Sequence, residues 1–258
     1  MTQARWIRGL LTAVLVVVAR PAQSQDVAAI IAEGERERAS LDNPGALAVF
    51  ERGLVSAPSS YELLWRASRE AADLGESTAS AAQRTTLYTR GEQYARRAVT
   101  ANPAGADGHA MLAIALGRTA LSVGVRERVR FAKDVRAECL AALKADPDHA
   151  AALHVLGVWH AEIMRLSGIA RFTARTFLGG AVFSEASWGE AQRLLERAVA
   201  VDPQRITHRL DLARIYVDTK QPAKARATCQ AVARMPVFEY HDARYQRECA
   251  ALLATLGD

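Results

Sequence analysis

The sequence predicts an all-α chain, a right-handed superhelical stack of antiparallel helix pairs. Three observations carry this. The phrase Ala-x-x-x-x-Pro starts at Ala98, Ala142, Ala198 and Ala231, each time closing an amphipathic stretch. Small residues (Ser68, Ala113, Gly157, Ala213) sit at the middle of the stretch that follows or precedes, where two backbones must cross closely. Apolar residues recur at helical spacing, as in Leu153, Leu156, His160 and Ile163, and again in Trp188, Ala191, Leu195 and Ala198. Composition agrees: 50% of residues are hydrophobic, enough for a core, and alanine, leucine, arginine and glutamate favour helix.

Taken in order, residues 26–40 and 44–57 read as two helices, a degenerate first pair spanning 26–58. Residues 59–74 form the next helix, with Ser59 or Ser60 as its cap and Glu62 close behind. A polar loop from Gly75 to Ala82 leads to a partner helix over 83–101. Residues 104–122 open the following pair, and a basic connector (VGVRERVRFAK) precedes its second helix, which ends at Pro147. The central unit runs from 146 to 203. Residues 205–219 and 222–234 form the last clear pair, so the repeats occupy 59–236. Residues 237–258 hold a capping helix over 240–256, which stacks of this kind need.

Pro58, Pro103, Pro147, Pro203 and Pro236 are spaced 45, 44, 56 and 33 residues apart. A tetratricopeptide pair has a period of about 34. The last interval fits, and the longer ones imply insertions between the helices of a pair. Proline ends one helix by disfavouring helical geometry in the residue before it, and suits the first turn of the next.

The first 24 residues read as a secretory signal. Arg5 and Arg8 precede an apolar run from Leu10 to Ala19, and Ala22-Gln23-Ser24 has small residues at the two cleavage positions. Ten apolar residues fall short of the roughly 20 that span a bilayer. An exported chain, periplasmic or secreted, is expected. Without residues 1–24 the net charge falls from +5 to +2. That near balance argues against a nucleic-acid partner, which calls for a concentrated basic face.

Nothing in the sequence calls for catalysis, a cofactor or a metal. Cys139, Cys229 and Cys249 lack metal-ligand spacing; Cys139 and Cys229 fall at buried positions, and a Cys229–Cys249 disulfide is open in an exported chain. His154 and His160 lie on different faces of one helix, and His109, His149, His208 and His241 lie in separate units. No nucleophile elbow or phosphate loop is present.

Counting from the small residues places Trp65, Arg69, Ile114, Arg118, His154, Val158, Glu162, Leu210 and Arg214 on the inner face. Apolar walls with arginines suit an extended peptide, a carboxylate or a phosphate head group, since arginine pairs bidentately with both anions; an ordinary solvated face is the plainer alternative. The segment 165–185 carries Ile169, Phe172, Arg175 and Phe177, and Gly179-Gly180 breaks any helix there. An extra helix buried inside the superhelix is the favoured reading of it, and a lid over an apolar pocket or a membrane-touching element the alternative.

The element His154-Val-Leu-Gly-Val-Trp159-His160, its long insert with Phe172 and Phe177-Leu178-Gly179, then Trp188-Gly-Glu-Ala191, resembles the regulator of microtubule dynamics family. Glu62-Leu-Leu-Trp65-Arg66 does so too, and the resemblance covers roughly residues 44 to 256. It implies a tetratricopeptide-like domain without catalysis, and a groove for peptide or lipid. A signal-like start stands in place of the family's membrane anchor and coiled coil, and the microtubule role does not transfer to an exported chain. Two functions follow as expectations: a scaffold holding a protein or peptide partner in the cell envelope, or a carrier of phospholipid or another amphiphile with its pocket under the 165–185 insert.

Overall fold

Main-chain stops close most of the described helices and set the architecture. The computed structural model describes residues 22–120, 123–177 and 180–256; the proposed signal lies almost wholly outside them. The helices are α1 (Ala22–Ala39), α2 (Asn43–Ser56), α3 (Tyr61–Ser77), α4 (Ala81–Ala101), α5 (Ala106–Ala120), α6 (Val125–Ala145), α7 (Ala150–Arg165), α8 (Gly168–Phe177), α9 (Trp188–Val201), α10 (Ile206–Asp218), α11 (Pro222–Val232) and α12 (Asp242–Thr255). A 3-10 turn, Ala181–Glu185, follows α8, and no strand occurs among the described residues. None of the described helices is long and apolar enough to cross a membrane.

The helices pack as consecutive pairs: α1 with α2, α3 with α4, α5 with α6, α7 with α9, α10 with α11. The expected small residues are buried at the crossings. Ser68 donates to the Gly91 carbonyl at 2.8 Å, so α3 and α4 meet backbone to side chain. At Gly157 there is no room for a Cβ between Leu195 and the Ala191 carbonyl of α9.

The recurring proline phrase is a helix stop. In α4, α6 and α9 the cap residue (Asn102, Asp146, Asp202) sends its N–H to the carbonyl of the phrase's alanine, Ala98, Ala142 or Ala198. The Asn102 and Asp146 side chains then accept from the backbone two residues on, forming Asx turns. Pro103, Pro147 and Pro203 sit inside these turns, three residues before the next helix, and not in its first turn as expected. Asp42, Ser80, His149 and Ser187 cap helix N-termini through their side chains. Ser60 occupies the cap of α3 without such a bond. Glu62 is drawn instead to Trp65 and Arg66.

Two expectations about length change. The intervals of 45 and 44 residues hold no inserted loop: α4 and α6 are simply long, at 21 residues each. The basic segment 123–133 is mostly helix, since α6 starts at Val125 and buries Val129 and Phe131. Gly75 to Ser77 likewise continues α3. The third long interval does carry an insert, α8 and the 3-10 turn, between the partners α7 and α9.

Candidate binding groove

The first helices of the pairs present one stripe each to the inside of the stack. From α3 come Arg69, Ala72, Asp73 and Glu76; from α5, Ile114, Gly117 and Arg118; from α7, His154, Val158 and Glu162; from α10, Asp211 and Arg214. Steps of three and four residues keep these on one side of each helix. Together with α12 and part of α6 they enclose a groove of about 780 Å³, within the range of small-ligand sites.

Seven of the nine inner-face residues read from the sequence, Arg69, Ile114, Arg118, His154, Val158, Glu162 and Arg214, line this space. The position one residue after each small residue faces it in all four units: Arg69, Ile114, Val158 and Arg214. The position three before is less regular. Leu210 is covered by α11 and α12 in the terminal cluster. Trp65 is absent from the lining because two guanidiniums lie over it, Arg66 at 4.0 Å and Arg69 at 5.3 Å from its ring centre.

The insert does not roof the groove with the residues expected. Ile169 is 81% and Phe172 61% exposed, and α8 is a surface helix, not one buried within the stack. Its Ala174 and the following Phe183 are buried. The side chains of Arg175 and Phe177 lie outside the described set. Phe183 is held by Trp159, ring centres 6.1 Å apart, and the Trp159 indole N–H donates to the Ala132 carbonyl at 2.7 Å. The motif around Gly157 and Trp159 thus anchors the insert and α6 on α7.

The wall has two characters. Met111, Ile114, Val135, Val155, Val158 and Trp159 form an apolar side, and Arg128 beside them donates to the Ala120 and Val123 carbonyls. The opposite side is dense with ion pairs. Arg38 meets Glu70 and Asp73 at 2.9 Å each and also Glu239; Glu76 accepts from Arg118, Arg244 and the Tyr245 hydroxyl. Glu70 is fully buried, and burial raises its carboxyl despite Arg69 and Arg38 beside it. Arg38 in contrast is held charged: burial lowers it, but Asp73, Glu70 and Glu239 together prevail.

At the floor, His154 and His208 meet Nδ1 to Nδ1 at 2.7 Å, and His154 Nε2 lies 3.2 Å from Asp211. Burial, then His154 and Arg205, hold the His208 imidazole far below its ordinary value, so it is neutral. A single hydrogen joins the two Nδ1 atoms. The buried His208 Nε2 has no hydrogen-bond partner among the described residues. Burial alone raises the Asp211 carboxyl, but the His154 hydrogen bond and charge, with those of Arg214, bring it to about 2. Four of the six histidines thus do not stand apart, since His109 also pairs with Glu138 and His149 with Asp107. Among the described residues no group of three or more His, Cys, Asp or Glu is arranged to hold a metal.

Sequence reasoning missed the residues that close the groove. Arg38 reaches Glu239, 201 positions away; His241 reaches the Asp73 carbonyl at 2.9 Å, and Arg244 and Tyr245 reach Glu76. The one signal in the sequence is the run Glu70, Asp73, Glu76, acids three apart on a face that should be apolar.

Comparison with known proteins agrees with this architecture. A thermophilic TPR protein from Thermus thermophilus superposes with a TM-score of 0.63 at 18% identity, over 89% of this chain and 98% of that one. The pilF protein of Pseudomonas aeruginosa gives 0.55 at 11% identity, over 91% of each. In sequence, the bovine regulator of microtubule dynamics protein 1 is 25% identical over 199 residues, which is 76% of this chain and 62% of the relative. The rat regulator of microtubule dynamics protein 3 is 20% identical over 200 residues, 77% of this chain and 42% of the relative. The chain therefore spans less than two thirds of the length of these relatives. The family described as regulator of microtubule dynamics protein 1-3 matches residues 26–257, and the chain belongs to that family.

Proposed function

We propose that the chain is a non-catalytic scaffold that holds an extended segment of a protein partner in its inner groove, working in the cell envelope. The observation that carries this is the two-sided wall. Apolar side chains of α5, α6 and α7 face paired arginines and carboxylates of α3, α10 and α12. A peptide has that same alternation of apolar side chains and polar backbone. The N-terminal pattern, Arg5 and Arg8 ahead of the apolar run Leu10 to Ala19, supports export. The microtubule role in the relatives' names is left with those longer proteins.

A photo-crosslinking residue at Val158 tests the reading, with one at the exposed Val55 of α2 as control. Peptide-bearing adducts are expected at Val158 and not at Val55. Equal labelling at both positions would sink it. The apolar side supports a second reading, an amphiphile carrier whose pocket lies between α5, α6 and α7 rather than under the insert. Solvent extraction of the purified protein decides between them: stoichiometric lipid, with no peptide adduct at Val158, favours the carrier.

A further inference from the structure

Cys229 on α11 and Cys249 on α12 face each other inside the terminal cluster of Ile206, Leu210, Ala213 and Val232. Their sulfurs stand 3.0 Å apart, and both are free thiols in this structure. A disulfide bond is about 2.04 Å long, so closing the gap needs a shift of about 1 Å. The third cysteine, Cys139, is fully buried in a different cluster around α5, α6 and α7, which leaves Cys229 and Cys249 only each other. The helix they would fasten is lightly held: α12 has just Asp242 and Cys249 fully buried. It is also the helix that lends Arg244, Tyr245 and Glu248 to the groove wall.

We propose that Cys229 and Cys249 are a disulfide site that, under oxidising conditions, fastens the groove-closing helix α12 to α11. The link stands whatever the groove binds. The chemistry is thiol–disulfide exchange with a low-molecular-weight disulfide such as glutathione disulfide. One cysteine loses its proton, and its thiolate attacks a sulfur of the oxidant. The oxidant's S–S bond breaks and one glutathione thiolate leaves. The second cysteine, deprotonated in turn, attacks the protein sulfur of the mixed disulfide and expels the other glutathione. Two electrons pass from the cysteines to glutathione disulfide, and the two glutathione thiols carry away the two protons. The mixed disulfide needs space, so α12 lifts during the exchange, which a terminal helix with few buried residues does at low cost.

The test uses the unaltered full chain, equilibrated in glutathione disulfide with a little glutathione, then denatured and labelled with a maleimide. One label, on Cys139, and a peptide linking Cys229 to Cys249 are expected; after reduction three labels should appear. Three labels without reduction, or stable glutathione adducts in place of the link, would overturn the proposal. A reductant should lower the melting temperature of the oxidised protein by roughly 5–10 °C. That drop should be absent in Cys249→Ser; an equal drop in the variant would also count against the link.

Discussion

Gly157 is where α7 and α9 come closest. An added Cβ would stand 2.9 Å from the Leu195 Cγ and 3.2 Å from the Ala191 carbonyl oxygen, and the second of these is backbone that cannot give way. Gly157→Ala should therefore destabilise by about 1–3 kcal/mol, read as a lower urea midpoint at unchanged slope. Gly91→Ala is the contrast: its nearest neighbour would be at 3.4 Å, so better helix propensity should offset the contact and leave stability within about 1 kcal/mol. Asp211 makes acid sensitivity specific. Its folded value of about 2 lies below the ordinary 3.8, so its stabilisation is complete above about pH 4 and is lost as pH falls through 2. With 22% of the side chain still open to solvent, the loss should be up to about 2 kcal/mol. Denaturation followed from pH 5 to pH 2 should show this extra loss in the wild type and not in Asp211→Asn. At this scale the small residues were legible, because packing imposes a spacing on the sequence. The charged partners were not, since a salt bridge leaves no periodicity.

Helices were legible as elements because each carries an apolar stripe and a main-chain stop. The segment 123–133 conceals its helix, because arginines interrupt a stripe of Val125, Val129 and Ala132. The repeats' extra length was misplaced for a related reason: a longer helix and a longer loop give the same proline interval. The element with the most unusual duty is α12. It packs on α10 and α11 through one face and reaches α3 through side chains only, where Glu76 receives Arg244 and Tyr245. Glu76→Gln keeps the shape and removes the charge that both Arg118 and Arg244 meet. Amide exchange over residues 242–255 should speed up several-fold in that variant, while exchange in α7 and α9 stays unchanged. Unaltered exchange in α12 would mean that α10 and α11 alone hold it.

Across the whole molecule, the stacking of pairs and the inner position of the first helices could be read in advance, and seven of nine inner-face residues followed from that frame. What brings the last helix against the first ones could not, because superhelical curvature accumulates from small rotations at every interface. Removing residues 237–258 should open the groove and bare the cluster of Ile206, Leu210, Ala213 and Val232. The truncated chain is expected to aggregate, or to bind a hydrophobic dye, where the full chain does neither.

The bonds from Arg38 and Asp73 to Glu239 and His241 have a further effect. An open array of repeats touches only its nearest neighbours, so its stability is close to a sum and it frays from either end. Here the first unit gains energy only while the last is in place. Unfolding should thus be all-or-none, with circular dichroism and tryptophan fluorescence giving one urea midpoint, and cutting both end-to-end bonds by Arg38→Ala combined with His241→Ala should split it into two.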